Sequence, residues 1–215
     1  MKKESNFGYY FVRAILKPIY LLLYHPKIIG KENLPKEGPV IFCGNHRHVL
    51  DQCPVLTTTK LPVHYMAKKE YFDGKMAWFF KLSGCISVNR AIHDEEAKAR
   101  AINILKNNGA IGIFPEGTRN KTIGTAEEVL LLPFKFGAVS MAKKTNATIV
   151  PFGLMGDHKV GNRNLTLVFG KPFKVENMEL EEANELLRAK IESLALEANE
   201  LGNKRLNCFK KKISE

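Results

Sequence analysis

One stretch of the chain decides most of the fold: residues 40–51, which read Val-Ile-Phe-Cys-Gly-Asn-His-Arg-His-Val-Leu-Asp. It opens with a short apolar run of the kind found in buried strands. His46 and Asp51 follow, and a straight helix would point two side chains at this spacing roughly 140° apart. They can cooperate only if His46 lies in a turn after the strand and Asp51 lies in the first turn of a helix. Pro54 agrees, because proline is tolerated in the first turn of a helix and not deeper.

The same alternation of apolar runs and helix-length segments continues along the chain. Strands are predicted over 39–43, 62–67, 85–88, 110–114, 148–153 and 165–169, with a further short strand between 25 and 35. Helices are predicted near 52–60, 74–82, 92–107, 137–144 and 180–201. Short apolar runs separated by helices are typical of parallel sheets with helices on their faces. The sequence therefore predicts an α/β fold with a central, largely parallel sheet flanked by helices.

The N-terminal segment is apolar and aromatic from Tyr9 to Tyr24, but Arg13, Lys17 and Pro18 interrupt it. It falls short of the ~20 continuous apolar residues of a transmembrane helix, and no signal-peptide cleavage site follows it. Its composition suits an amphipathic helix in the membrane interface, with Tyr9, Val12, Leu16, Ile19, Tyr20 and Leu23 on the apolar face. A helix that packs on the core is an equal alternative. We divide the chain into this helix, residues 1–25, and one domain, residues 26–215.

The bulk composition narrows the class of partner. The 215 residues include 33 Lys and Arg against 22 Asp and Glu, a net charge of +11 that attracts nucleic acid, anionic membranes or phosphorylated substrates. No motif that interleaves basic residues with stacking aromatics is recognisable, so a nucleic-acid partner is not predicted. The four cysteines show no paired spacing, which argues against a disulfide frame or zinc ribbon and for a reduced, cytosol-facing location.

Polar segments follow three of the predicted strands. They cover residues 45–51, 87–90 (Ser-Val-Asn-Arg) and 114–119 (Phe-Pro-Glu-Gly-Thr-Arg), and functional groups of parallel sheets gather at the carboxyl ends of strands. A histidine oriented by a carboxylate can take a proton from a hydroxyl. The Arg119 guanidinium suits a phosphate, although an internal ion pair with Glu116 is also open. Arg90 could bind an anion or end a strand.

A metal site is the sharpest rival interpretation. His46, His48, Asp51 and His64 are similar to the His-x-His-x-Asp-His pattern of binuclear zinc hydrolases, but no histidine follows Asp51 here. A zinc site needs three dependable ligands. We therefore predict no metal, and keep a metal-dependent hydrolase using His46, His48 and Asp51 as the alternative.

Four blocks of sequence, taken in order, point to one family. They are Asn45-His46-x4-Asp51, residues 84–90 (Gly-Cys-Ile-Ser-Val-Asn-Arg), residues 114–119, and residues 149–152 (Ile-Val-Pro-Phe). Over residues 27–155 this order resembles the lysophosphatidic acid acyltransferases, the 1-acylglycerol-3-phosphate O-acyltransferases of the glycerophospholipid acyltransferase family, with their HX4D motif. Lys68-Lys69-Glu70 and Phe134-Lys135-Phe136-Gly137 match two further family segments.

The resemblance implies an enzyme of phospholipid biosynthesis that moves a fatty acyl group to the free hydroxyl of lysophosphatidic acid, giving phosphatidic acid. The donor would be acyl-CoA or acyl carrier protein, with no other cofactor. His46 would be the general base and Asp51 would orient it. The resemblance assigns substrate binding, including the acceptor's phosphate, to Lys68, Arg90, Glu116, Gly117, Thr118 and Arg119, and the lining of the acyl site to Val150, Pro151 and Phe152.

The expected setting is the anionic cytoplasmic face of the cell membrane, with the enzyme peripheral or monotopic. A lysophospholipid acceptor would be presented there, and the basic C-terminal tail around Phe209, with Arg205, Lys210, Lys211 and Lys212, suits that surface or forms a solvated end. The chain departs from the family pattern at His48, where a small hydroxyl residue is usual, and at Asn89, where aspartate is frequent. Because of His48, we keep an acyltransferase for another lysolipid acceptor as an alternative function.

Overall fold

The computed structural model describes residues 6–89, 91–92, 94–122 and 125–214, apart from the side chains of 210 and 212–214. The strands are β1 (Lys27–Ile29), β2 (Val40–Gly44), β3 (Val63–Lys68), β4 (Ile86–Val88), β5 (Ala110–Ile113), β6 (Thr148–Met155) and β7 (Thr166–Phe169). The α-helices are α1 (Phe7–Tyr24), α2 (Gln52–Thr58), α3 (Glu70–Asp73), α4 (Ala77–Leu82), α5 (Glu95–Lys106), α6 (Gly137–Thr145) and α7 (Leu180–Ser214).

The strands form one sheet in the order β1-β7-β6-β2-β5-β3-β4. Each neighbouring pair is parallel except β6 and β7, which are antiparallel. The segment 156–165 between those two strands contains no helix, and a parallel return needs a long crossover connection that this segment does not provide. The prediction of a central, largely parallel sheet flanked by helices is confirmed.

The middle strand, β2, positions the polar segments. It pairs with β5 on one side and β6 on the other, and all five of its residues are buried. A strand covered on both faces has no polar side, which explains the continuous apolar run at residues 40–43. Because β2, β5 and β3 run parallel side by side, their carboxyl ends lie at one edge of the sheet, which carries the residues after Gly44, Ile113 and Lys68.

Two helical regions differ from the predictions by more than small shifts of their ends. The helix predicted over 74–82 begins at Ala77, and the separate short helix α3 precedes it. The helix predicted to end at 201 continues through Gly202 to Ser214. A Cβ atom on residue 202 would lie 2.3 Å from the main-chain oxygen of Asn164, so glycine at this position lets α7 approach the segment before β7 closely and does not end the helix.

The N-terminal helix α1 packs on the domain through part of the face predicted to meet the membrane. Tyr9, Val12 and Tyr20 of that face are buried, and α1 contacts α2 and α4. The assignment of this face to the membrane was therefore wrong for these residues, because they cover the domain's own apolar surface. A second row, Phe7, Phe11, Ile15 and Leu22, is exposed.

The N-terminal helix is also apolar enough in part to raise the question of a membrane span. No helix of the described residues is long and apolar enough to cross a membrane. The division into residues 1–25 and 26–215 stays a prediction, as does the placement of the helix at a membrane interface.

Candidate active site

The turn that carries His46 begins where β2 ends. Asn45 is buried, and its side chain pairs with the main chain of Leu154 on β6: Nδ2 donates to the Leu154 oxygen at 2.8 Å, and Oδ1 accepts from the Leu154 nitrogen at 2.8 Å. The Asn45 amide thus takes the place of one more residue of the strand ladder while the backbone turns out of the sheet. His46 is placed at the sheet edge as a result.

His46 and Asp51 meet as the sequence predicts. The His46 Nδ1 atom lies 3.0 Å from Asp51 Oδ2, and the same oxygen accepts from the main-chain nitrogens of Arg47 and His48, each at 2.6 Å. Asp51 directly precedes α2 and is 2% exposed, whereas the His46 side chain is 14% exposed. An aspartate on Nδ1 favours the tautomer with its proton there, which leaves Nε2 able to accept a proton.

The His46 ring is fixed by stacking as well as by hydrogen bonding. It lies on the Phe114 ring with centroids 4.0 Å apart and planes 9° apart. Phe114 in turn contacts the rings of Tyr65 and Phe152. An imidazole held on one face and at one nitrogen has few rotamers left, so the turn is organised before any substrate binds.

Two residues of the loop after β5 hold the His46 main chain. The Glu116 Oε1 atom accepts from the His46 nitrogen at 2.7 Å, and its Oε2 atom accepts from the Leu132 nitrogen at 2.8 Å. The Asn120 nitrogen donates to the His46 carbonyl oxygen at 2.7 Å. Burial raises the pKa of Glu116, and the two amide hydrogen bonds oppose that rise. These contacts are those of a positioning residue; the binding of acceptor by Glu116 stays a prediction.

The predicted phosphate-binding cations lie at the same sheet edge but in the open. Lys68 ends β3, its side chain is 46% exposed, and it forms an ion pair with Glu70. Thr118 and Arg119 follow β5 and are exposed. Gly117 has φ +69°, the left-handed region that glycine enters without strain, and a Cβ atom there would lie 2.9 Å from Lys135 Cε. Arg90 lies outside the described residues.

The predicted acyl-site residues are not brought to this surface. Val150, Pro151 and Phe152 lie in β6, and all three are buried. Phe152 contacts Phe114 behind the His46 ring. A role in lining the acyl chain therefore stays a prediction.

The histidines of the rival metal site face different partners. His48 Nδ1 accepts from the Leu50 nitrogen at 3.2 Å, and the His48 ring stacks on His158 with centroids 4.5 Å apart. His64 Nδ1 lies 2.7 Å from the Gly84 carbonyl oxygen. In the described part of the chain, no three His, Cys, Asp or Glu side chains are grouped so that they could hold a metal ion.

Sequence reasoning missed two of the residues around the dyad. Asn120 directly follows the block at 114–119, and its position beside that block was an available signal. His158 lies in the loop after β6, with its side chain 2% exposed and its Nδ1 atom 3.8 Å from Asp51 Oδ1. No spacing or motif in the sequence marks it.

Comparison with known proteins places this arrangement in a family. Residues 25–155 match the acyltransferase family. The chain is 32% identical over 203 residues to the 1-acyl-sn-glycerol-3-phosphate acyltransferase of Bacillus subtilis, covering 91% of this chain and 98% of that one. It is 35% identical over 159 residues to the enzyme of the same name from Borreliella burgdorferi, covering 72% and 61%.

A solved structure shares the fold. The crystal structure of the 1-acyl-sn-glycerophosphate acyltransferase from Thermotoga maritima superposes with a TM-score of 0.71 at 22% identity, covering 94% of this chain and 83% of that one. The family match spans the strands and loops that carry His46, Asp51 and Arg119. This chain belongs to the acyltransferase family.

Proposed function

We propose that this protein transfers a fatty acyl group to the free hydroxyl of 1-acylglycerol-3-phosphate and so forms phosphatidic acid. The observation that carries the proposal is the His46–Asp51 pair, held at 3.0 Å with Asp51 buried and the His46 side chain 14% exposed. The relatives from Bacillus subtilis and Borreliella burgdorferi are named for the same acceptor.

The proposed step is direct acyl transfer. His46 Nε2 removes the hydroxyl proton as the acceptor oxygen attacks the carbonyl carbon of an acyl thioester. The C–S bond then breaks, and the imidazolium returns the proton to the departing thiolate. Asp51 holds the tautomer and stabilises the imidazolium while it exists. The acyl donor is acyl-CoA or acyl carrier protein, and the step needs no group beyond these two substrates.

The oxyanion of the tetrahedral intermediate needs hydrogen-bond donors, and several local amides are already used. The nitrogens of His46, Arg47 and His48 donate to carboxylates. The Gly117 nitrogen donates to the Phe114 oxygen at 2.9 Å, so the Gly117 amide is also already used.

The acceptor's phosphate binds at the cations of the neighbouring strands. Arg119 follows β5, and Lys68 is the last residue of β3. Because β5 and β3 are neighbouring parallel strands, both residues lie at the same edge of the sheet. A guanidinium offers two parallel donors to phosphate oxygens, and an ammonium acts as a point charge. Exposure of both side chains suits a ligand that arrives from outside and that orders the cations as it binds.

The enzyme meets its lipid acceptor at the cytoplasmic face of the cell membrane, as a peripheral or monotopic protein. The exposed row on α1, Phe7, Phe11, Ile15 and Leu22, is an apolar surface of the kind that enters the headgroup boundary. The net charge of +11 adds attraction to anionic lipid.

The test is an assay of purified protein on vesicles that contain 1-acylglycerol-3-phosphate, with acyl-CoA and acyl carrier protein thioesters supplied in parallel reactions. Mass spectrometry of the lipids should detect phosphatidic acid with at least one donor. Product only from a different lysophospholipid would correct the acceptor, a possibility that His48 motivates, and release of free fatty acid alone would indicate a hydrolase.

A further inference from the structure

A second histidine lies against the catalytic carboxylate, on the side away from His46. Asp51 Oδ2 contacts His46 Nδ1 at 3.0 Å, whereas Oδ1 faces His158 Nδ1 at 3.8 Å. The two side chains that form this second contact are 2% and 3% exposed. His158 lies beyond the residues matched to the family, which end at 155. The His158 side chain is thus buried and polar, and the acyl-transfer step proposed above gives it no role.

The other nitrogen of His158 reaches the N-terminal helix. Its Nε2 atom lies 3.0 Å from the Tyr20 hydroxyl of α1. The His158 ring also packs on His48, with centroids 4.5 Å apart, and on Tyr24, with centroids 5.6 Å apart. A continuous row of contacts thus runs from α1 through His158 to Asp51 and on to His46.

The protonation states along this row follow from burial. Burial lowers the pKa of His158 to about 4, against the opposing effect of the Asp51 charge, so the imidazole is neutral near pH 7. Burial also raises the pKa of Tyr20, so its hydroxyl keeps its proton. The ring also makes a hydrogen bond with the Leu50 main chain. The neutral ring has one N–H, and placing it on Nδ1 sets it on the side of the Asp51 carboxylate while Nε2 accepts from Tyr20. The other tautomer would set a lone pair against the carboxylate charge.

We propose that His158 is a positioning residue of the catalytic pair, and that Tyr20 and His158 together couple the docking of α1 to the orientation of Asp51. The inference rests on the proposed acyl transfer through His46. A distance of 3.8 Å is longer than a hydrogen bond, so His158 acts by filling the space beside Asp51 and by its fixed N–H dipole. Without it, the space beside Oδ1 opens and only the Oδ2 contacts with the Arg47 and His48 nitrogens still hold the carboxylate, so its alignment with His46 is less constrained.

Substitution can test the contacts of the two His158 ring nitrogens separately. Asparagine places an N–H near the position of Nδ1, whereas glutamine places its amide near Nε2. His158→Asn should keep the contact with Asp51, and His158→Gln should keep only the contact with Tyr20. His158→Phe retains a flat ring and removes both. Tyr24→Phe is the matched control for Tyr20→Phe, because no hydrogen bond of the Tyr24 hydroxyl is found in the described chain, whereas Tyr20 bonds His158.

The measurement is kcat and KM of full-length protein on vesicles, with thermal unfolding of each variant. His158→Phe and His158→Gln should each lower kcat about tenfold, or ~1.4 kcal/mol in activation free energy, with both KM values within twofold of wild type. His158→Asn should restore most of kcat. Tyr20→Phe should lower kcat less, Tyr24→Phe should leave it unchanged, and Tyr20→Phe should have no further effect in the His158→Phe background.

Equal kcat values for His158→Asn and His158→Gln would overturn the proposal, and this comparison decides even if His158→Phe fails to fold. A loss confined to KM would overturn it as well. If wild-type protein acylates no lysophospholipid, the proposed function fails and takes this inference with it; if wild type is active and the His158 variants match it, this inference alone fails.

Discussion

Two neighbouring regions at the same sheet edge are built in opposite ways. In the turn after β2, Asp51 is buried, and the His46 main chain and ring are held by Glu116, Asn120 and Phe114. In the loop after β5, Arg119 is exposed. Proton transfer requires reacting groups that are in position before the substrate arrives. A long exposed cation can instead adjust to a phosphate and be ordered by it, so we expect the turn and the buried residues that hold it to control kcat, and the exposed Arg119 to control acceptor binding.

The largest effect should come from the turn itself. His46→Ala removes the proposed base, and general-base removal lowers kcat by roughly 10²- to 10⁴-fold. The fold should survive because the His46 main chain, not its side chain, makes the contacts with Glu116 and Asn120. Steady-state kinetics beside circular dichroism and a thermal melt check both statements. Activity above half of wild type would remove His46 from the mechanism.

The next largest effect should come from the exposed loop. Arg119→Ala removes a charged hydrogen-bond donor worth about 1.5 to 3 kcal/mol, so kcat/KM for the phosphate-bearing acceptor should fall roughly 10- to 150-fold. The KM of the acyl donor should change little. Lys121→Ala is the matched control, since Lys121 is an exposed cation of the same loop, and a similar loss there would indicate a general charge effect.

A smaller effect tests how the two regions are joined. Glu116→Gln keeps the shape of the side chain, but its amide nitrogen cannot accept, so either His46 or Leu132 loses the partner of its main-chain N–H. Leaving one buried donor unpaired should lower the free energy of unfolding by about 1–3 kcal/mol, with a kcat loss below that of His46→Ala.

Denaturant unfolding measures the stability change, and Glu127→Gln, at an exposed position, is the control. If Glu116→Gln left stability and kcat unchanged while it raised the acceptor KM, Glu116 would bind the acceptor and would not position His46.

The smallest effect concerns α1. This helix also combines a buried part, its inner face, with an exposed part, its outer row. Leu22→Ser should weaken vesicle binding roughly fivefold, because about 1 kcal/mol of apolar burial is lost. Co-sedimentation with anionic vesicles measures this, and Leu196→Ser, which changes an exposed leucine of α7, is the control. Equal loss in both variants would move the membrane contact away from α1.

The sequence predicted the central sheet and the contact between His46 and Asp51 for related physical reasons. A strand buried on both faces must be apolar throughout, and the spacing of His46 and Asp51 allows contact only across a turn. The antiparallel pairing of β7 could also have been predicted, because no helical segment separates β7 from β6. At these positions the local sequence pattern and the tertiary structure favour the same arrangement of the backbone.

Other features depend on contacts that no local pattern contains. Both sides of α1 are apolar, and periodicity does not say which side meets the protein and which meets lipid. Gly202 reads as a helix stop until the close approach of Asn164 is known. His158 is a single histidine in a loop, and its place beside Asp51 arises only when β6 pairs with β2. Burial of Val150 and Phe152 likewise follows from their strand's central place in the sheet.

The division of labour between His46 and Arg119 is tested most directly by comparing two acceptors, 1-acylglycerol-3-phosphate and 1-acylglycerol, in His46→Ala and Arg119→Ala proteins. We expect His46→Ala to lower kcat by the same factor, at least ~10², for both acceptors. We expect Arg119→Ala to lower kcat/KM for the phosphate-bearing acceptor only. An equal loss on both acceptors in Arg119→Ala, or a loss in His46→Ala that depends on the phosphate, would contradict the division between a catalytic turn and a binding loop.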